Sequence, residues 1–170
     1  MYMSSFVHGL AHPVSGADHI LAMLAIGLWG VIAGGRALWA WPAAFVAMIL
    51  VGFCAAILGA QAPIVEPVIA SSIVLLGLLV ALAVKAPVWL GAVVAGLFAF
   101  FHGHAHGTEA AAAGVDLIAY ACGFSLATAA LHAVGLGAGL LVTRSAGDSL
   151  LRATGGLVAV SGVVLIAGLA

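Results

Sequence analysis

The chain has 170 residues, of which 66% are hydrophobic and 5% are charged, and its mean hydropathy is +1.36. Because a soluble domain carries about a quarter charged residues, this composition excludes an ordinary soluble fold and indicates a membrane protein. A formal net charge of -1 and the lack of a basic run argue against nucleic acid as a partner.

Apolar runs separated by glycine, proline and charged residues predict six membrane-spanning helices. In chain order, the spans are expected at about 17–35, 38–59, 67–84, 87–106, 115–142 and 150–169. A shorter element at residues 4–12 is expected to be a re-entrant or interfacial helix. The predicted fold is an all-α integral membrane protein, a compact bundle of six transmembrane helices. It forms a single transmembrane domain over residues 1–170 and contacts the lipid bilayer.

The residues before His8 contain neither the basic segment nor the apolar core that is typical of a signal peptide. Two explanations stay open at this point. Either a leader has been removed, or the short polar N-terminus crosses the membrane unaided.

The four basic residues all fall in one set of predicted loops: Arg36, Lys85, Arg144 and Arg152. By the positive-inside rule these loops are cytoplasmic, which places both termini in the periplasm. The same topology brings the N-terminal histidines, Glu66 and the histidines after residue 101 to the outer side of the membrane. We therefore expect one site that is open to the extracytoplasmic space.

The first polar cluster lies around the start of the first span. His12 and His19 are seven residues apart and would share a face of a continuous helix, with His8 near them. Pro13 argues against continuity, so we expect the helix to start near it, with His12 at its mouth. Asp18 and His19 point in different directions. One of them is expected to bind a metal while the other orients a neighbour or serves a second site.

The second polar cluster lies at the end of span four. His102, His106 and Glu109 are spaced i, i+4, i+7, so on a helix they form a narrow stripe and point to one spot. His104 points to the opposite side and is expected in a vestibule or as support for the ligands. Because ionisable groups are costly within a membrane, their presence predicts a function.

Three further residues each have two interpretations. Glu66, at the start of span three, either complements the helix dipole or joins the same site. Met23, one turn below His19, either packs in the core or adds a thioether ligand. His132, deep in span five, is either a structural histidine bonded to a carbonyl or a position further along a permeation path.

The ligand types narrow the choice of metal. Imidazole and carboxylate groups suit divalent ions such as Ni²⁺, Co²⁺ or Zn²⁺. Both cysteines, Cys54 and Cys122, lie in apolar segments away from the clusters and are interpreted as small buried hydrophobes. We expect the metal as a transported ion and no prosthetic group. Because a histidine must be deprotonated to bind metal, transport is expected to fall at acidic pH.

Two segments resemble the signatures of the HupE/UreJ nickel and cobalt permeases: His12-Pro13-x-x-Gly16-x-Asp18-His19-x3-Met23 and Phe101-His102-Gly103-x-Ala105-His106-Gly107-x-Glu109. The resemblance extends to the length, the six-span layout and the glutamate that heads span three. It implies a permease of the bacterial inner membrane that takes up Ni²⁺, or Co²⁺, from the periplasm for hydrogenase or urease maturation. The metal-handling residues that it implies are His12, Asp18, His19, Glu66, His102, His106 and Glu109.

The sequence leaves the transport mode and some alternatives open. Because no G-x4-G-K-[ST] motif is present, we expect facilitated diffusion or coupling to an ion gradient, and no enzymatic activity. A first alternative is a membrane-embedded hydrolase, whose histidines and carboxylate hold zinc with one open position. A second is a metal sensor or a structural membrane subunit. Assembly into a homo-oligomer is also left open.

Overall fold

The computed structural model describes residues 2–145 and 147–168 of the chain. Within these residues there are helices and no strands. The helices are α1 (Tyr2–Ser15), α2 (Ala17–Ala33), α3 (Ala37–Ile57), α4 (Val65–Ala81), α5 (Val88–Ala112), α6 (Leu117–Ser145) and α7 (Asp148–Gly168). The all-α prediction is therefore confirmed for the described part of the chain.

Helices α3, α5, α6 and α7 are each long and apolar enough to cross a membrane. Helices α1 and α2 meet at an angle of 77° and together pass the same test, so they represent a fifth candidate span that is broken. Helix α4 is apolar but has 17 residues, which is shorter than the roughly 20 that a span usually needs. The described helices thus fit a helical membrane protein with four candidate spans, or five with the bent pair, and the bundle of six spans stays a prediction.

The N-terminal segment differs from expectation in where the chain breaks. Instead of a short element at residues 4–12 and a helix starting near Pro13, α1 continues through Pro13 to Ser15. The break falls at Gly16, whose backbone is extended at φ -103° and ψ 124°. Pro13 lies in the last turn of α1, three residues before the break. There Ser15 Oγ donates a hydrogen bond of 2.7 Å to the carbonyl of His12.

The fourth predicted span also ends later than expected. Helix α5 continues beyond residue 106 to Ala112, through a segment that was predicted to be a loop because it contains Gly107. That glycine serves helix packing, since a Cβ atom there would lie 2.6 Å from the carbonyl oxygen of Phe53 on α3. The alanines that follow it favour helix. Glu109 is consequently held on a rigid helix.

Helices α3 and α5 approach each other closely through glycines on both sides. A Cβ at Gly103 would overlap the carbonyl oxygen of Ile49, and one at Gly52 would overlap that of Phe100. Small residues at such crossings allow backbones to come together, as is common between membrane helices. The same contact fixes the end of α5 that carries the second histidine cluster.

The end of the bundle opposite the histidines is closed by two tryptophans. The rings of Trp29 on α2 and Trp41 on α3 are buried, with centroids 4.1 Å apart. Trp29 Nε1 donates to the carbonyl of Val84 at 2.8 Å, and Trp41 Nε1 donates to that of Val88 at 2.9 Å. These bonds tie α2 and α3 to the connection between α4 and α5, which carries Lys85.

Candidate metal centre

Three predicted ligands from α1 and α5 meet at one point. His12 Nε2 lies 3.0 Å from Glu109 Oε2, and His106 Nδ1 lies 3.4 Å from the same oxygen. All three ligand atoms lie within 4.8 Å of one another. Two atoms that bind one transition-metal ion at about 2.1 Å are separated by about 3 Å, so this spacing suits a shared ion. We call these three residues the outer group.

A second arrangement lies directly behind the outer group. His106 Nε2 is 2.5 Å from His19 Nε2, so one of these nitrogens donates a hydrogen bond to the other. His19 Nδ1 lies 2.8 Å from Asp18 Oδ1. A carboxylate on the far nitrogen of an imidazole fixes its orientation and raises its basicity, as at many metal sites. The prediction left the roles of Asp18 and His19 open, and this geometry favours His19 as the ligand and Asp18 as its support.

His102 continues this row of imidazoles into the bundle. It is completely buried, and its ring centroid is 5.2 Å from that of His19. Its Nδ1 donates to the carbonyl of Phe98 at 2.9 Å, which leaves Nε2 as a bare acceptor without a hydrogen-bond partner. A neutral imidazole whose N–H is held by a carbonyl presents its other nitrogen for metal binding.

Glu109 and His12 are accessible, whereas the three other histidines of the row are buried. The exposed fraction is 57% for Glu109, 26% for His12, 9% for His19 and 1% for His106. His102 is inaccessible. The arrangement therefore connects an exposed carboxylate at the end of α5 with buried imidazoles within the bundle, along a row of potential ligands.

Glu66 lies beside the outer group without touching it. It lines a cavity of about 90 Å³ together with Asp18, and another of about 260 Å³ together with Glu109 and His104. His104 Nε2 donates to the carbonyl of Ala60 at 2.7 Å, so this ring fastens the connection between α3 and α4. We call this second cavity the vestibule. Glu66 lies on its wall, and a role of His104 in it stays a prediction.

The remaining predicted residues lie around the row or below it. His8 is exposed at the outer edge, where its ring contacts those of His12 and Tyr120 at 6.2 and 5.6 Å. Met23 is completely buried in the hydrophobic core. His132 is buried next to Phe45, deeper in the bundle. The metal-binding role of each predicted residue stays a prediction, because the structure gives only its position.

Aromatic side chains around the histidines were not identified from the sequence. Phe124 lies 4.2 Å from His106 by ring centroids, and Tyr120 lies 6.0 Å from His12. In the sequence of an apolar helix, such residues cannot be distinguished from other core residues, because no spacing rule applies to them. They line the imidazoles with apolar surface, which lowers the local dielectric and strengthens electrostatic interactions at the site.

The charges of the protein are divided between its two ends. The carboxylates of Asp18, Glu66 and Glu109 lie at the end that carries the outer group, whereas the cavity at the other end is lined by Lys85 and Arg152 together with Asp148. An acidic rim raises the local concentration of cations. The arrangement therefore places imidazole and carboxylate groups, which suit a divalent transition-metal ion, behind an acidic rim.

Comparisons with known proteins agree with the sequence signatures. The family model described as HupE / UreJ protein matches residues 1–165. Over 160 residues, the chain is 44% identical to Protein HupE of Rhizobium leguminosarum bv. viciae, and the aligned part covers 94% of this chain and 83% of that protein. No solved structure matches significantly. Nothing in these comparisons supports the zinc hydrolase considered above.

Proposed function

The chain belongs to the HupE/UreJ family, and on this basis we propose that it takes up Ni²⁺, or Co²⁺, across the bacterial inner membrane. The ion enters from the periplasm and supplies hydrogenase or urease maturation in the cytoplasm. One observation supports this proposal above the others: His12, His106 and Glu109 meet at the exposed end of a row of buried imidazoles.

Capture begins at the acidic rim. A hydrated cation is attracted by Glu66 and Glu109 and exchanges water for the ligands of the outer group. The carboxylate of Glu109 offsets part of the cation charge, while imidazoles add affinity without adding charge. Binding must be strong enough to remove water and weak enough to release the ion inward.

His106 links the outer group to the deeper histidines. Its Nδ1 faces Glu109 and its Nε2 faces His19. Because a neutral imidazole has one lone pair and one N–H, it offers only one nitrogen to a metal at a time. The ion therefore leaves the Nδ1 side before the Nε2 side accepts it. This requirement divides the path into separate steps.

The proposed orientation of the protein in the membrane rests on the basic residues. Lys85 and Arg152 lie at the end opposite the outer group, and the positive-inside rule assigns that end to the cytoplasm. Cys54 and Cys122 are exposed, so their interpretation as buried residues was wrong. A test replaces both by alanine and introduces Ala113→Cys next to the end of α5. A membrane-impermeant maleimide should label this cysteine from the periplasm. Labelling only after the cytoplasmic face is opened would reverse the proposed orientation.

Transport itself is tested with the purified chain in proteoliposomes supplied with Ni²⁺, Co²⁺ or Zn²⁺. Time-dependent accumulation inside the vesicles is expected for the native chain and is expected to be lost in His19→Ala and His102→Ala. The matched control is His104→Gln, which removes a buried histidine bonded to the Ala60 carbonyl. Unchanged accumulation in the first two variants would remove these histidines from the path.

A further inference from the structure

We propose that His132 and Thr128 on α6 form a second, deeper binding position for the transported cation, next to the ring of Phe45, which also contacts His102. The inference rests on the proposed transport function. It assigns a ligand role to two side chains of the bundle that belong neither to the outer group nor to the imidazole row behind it.

His132 differs from every other buried histidine in its lack of a hydrogen bond. In residues 2–145 and 147–168, the others each have a polar partner: His19, His102, His104 and His106. His132 is 1% exposed, and neither ring nitrogen has a partner with hydrogen-bond geometry. The backbone of Thr128, one turn earlier, lies close enough to interact with one ring nitrogen only, so the other nitrogen is left without any partner among the described residues. Buried polar groups are normally satisfied, so an exception of this kind points to a missing ligand.

Among the threonines that the structure describes, Thr128 is likewise exceptional, because its hydroxyl has no hydrogen-bond partner. Thr108, Thr143 and Thr154 each donate their hydroxyl to the carbonyl four residues earlier, at 2.8 to 3.0 Å. This bond is the usual way in which a helical threonine satisfies its hydroxyl. The hydroxyl of Thr128 is completely buried and has no such bond. Thr128 and His132 are spaced i, i+4 and thus lie on one face of α6.

The position of His132 continues the row of histidines inward. His132 lies about 22 Å along α6 from Leu117, whereas His102 lies about 15 Å along α5 from Ala112, at 1.5 Å per residue. Both distances start from the helix ends near the outer group. The Phe45 ring centroid lies 5.8 Å from that of His102 and 4.9 Å from that of His132. One aromatic ring therefore adjoins both histidines.

The chemistry of the deeper position differs from that of the outer group. An imidazole nitrogen and a hydroxyl oxygen are both neutral, and no carboxylate is among the ring or hydrogen-bond contacts of His132 in the described residues. Such a pair binds a divalent ion weakly, together with retained water. Weak binding suits a position from which the ion must leave toward the cytoplasm.

The experiment uses the full chain in two preparations. In proteoliposomes, His132→Gln is expected to reduce Ni²⁺ uptake at least tenfold, and Thr128→Val is expected to reduce it to a smaller extent. In detergent, calorimetric titration with Ni²⁺ should show that the affinity of the outer group changes by less than twofold in both variants. The native chain should bind one more ion than His132→Gln.

The two proposals can fail separately. Native uptake by His132→Gln, or an equal number of bound ions in the native and variant chains, would overturn the deeper position. If the native chain itself did not transport, the proposed function would fail, and the difference in bound ions would still decide the present inference. If His132→Gln does not fold, Thr128→Val decides, since it exchanges a hydroxyl for a methyl group of similar size. Native uptake and stoichiometry in that variant would then overturn the proposal.

Discussion

His19 and His106 face each other across α2 and α5 with their Nε2 atoms 2.5 Å apart. The two residues are 87 positions apart in the chain, and the other ring nitrogen of each faces a carboxylate: Asp18 for His19 and Glu109 for His106. Two imidazoles that bind one ion need their nitrogens about 3 Å apart, so an ion between them requires only a small separation of the rings. The pair is thus close to a binding geometry.

Replacing Asp18 by asparagine tests the support of His19. Because a carboxylate behind a ligand histidine fixes its orientation and basicity, Asp18→Asn is expected to weaken Ni²⁺ binding by roughly 10- to 100-fold. Titration calorimetry in detergent measures the change. The matched control is Asp116→Asn, whose carboxylate accepts a hydrogen bond from the amide of Ala119 at the start of α6. Equal losses in both variants would contradict the assigned role.

Uptake is expected to be more sensitive to substitution of Glu109 than to substitution of any supporting residue. Its Oε2 contacts both His12 and His106, so Glu109→Gln removes a charge and a ligand from the outer group together. Uptake in proteoliposomes is expected to fall by about 100-fold or more, beyond the range typical of a supporting group. Retention of more than a tenth of native uptake would show that Glu109 does not bind the ion.

Glu66 is expected to act through its charge on the vestibule wall. It touches neither His12 nor His106 among the described contacts, so Glu66→Gln should raise the Ni²⁺ concentration for half-maximal uptake while the maximal rate changes little. Electrostatic attraction at an exposed site is screened within about 10 Å at 0.1 M salt. The difference from the native chain should therefore shrink as salt is added. A loss of maximal rate independent of salt would instead make Glu66 a ligand.

The sequence located most helices because their apolar runs are long and clearly interrupted. Helices α2 and α3 begin at Ala17 and Ala37, where spans were predicted from 17 and 38. The local sequence pattern gave a wrong prediction at Gly107, where it indicated the end of a helix. This glycine lies within α5, where the Phe53 carbonyl occupies the space that a side chain would fill. Such a tertiary contact has no local signature.

The candidate site was only partly accessible to the same reasoning. Helical spacing placed His102, His106 and Glu109 on one stripe, and the structure brings His12 from α1 to that stripe. Nothing in the sequence distinguished Phe45 or Thr128 from the apolar residues around them. Their position beside buried histidines depends on how α3 and α6 pack, and a single helix pattern contains no information about that.

Helix packing at Gly103 gives a test of stability. Gly103→Ala places a Cβ atom where the carbonyl oxygen of Ile49 lies, so α3 and α5 must separate, and the expected cost is about 1–3 kcal/mol. Gly137→Ala on α6 is the control, since no atom lies within 4 Å of a Cβ built there. Thermal unfolding of the purified chain should show a lower midpoint only for the first variant. Equal midpoints would mean that the crossing tolerates a methyl group.

The pair of tryptophans at the end opposite the outer group allows a test of whether their hydrogen bonds hold that end of the bundle closed. Trp29→Phe keeps an aromatic ring but removes the bond from Nε1 to the Val84 carbonyl, which contributes about 0.5–1.5 kcal/mol. The connection that holds Lys85 should then open more often, and limited trypsin digestion should cleave after Lys85 faster than in the native chain. Trp89→Phe is the control because this side chain is 68% exposed. Cleavage at the native rate in Trp29→Phe would show that the hydrogen bond does not hold this end closed.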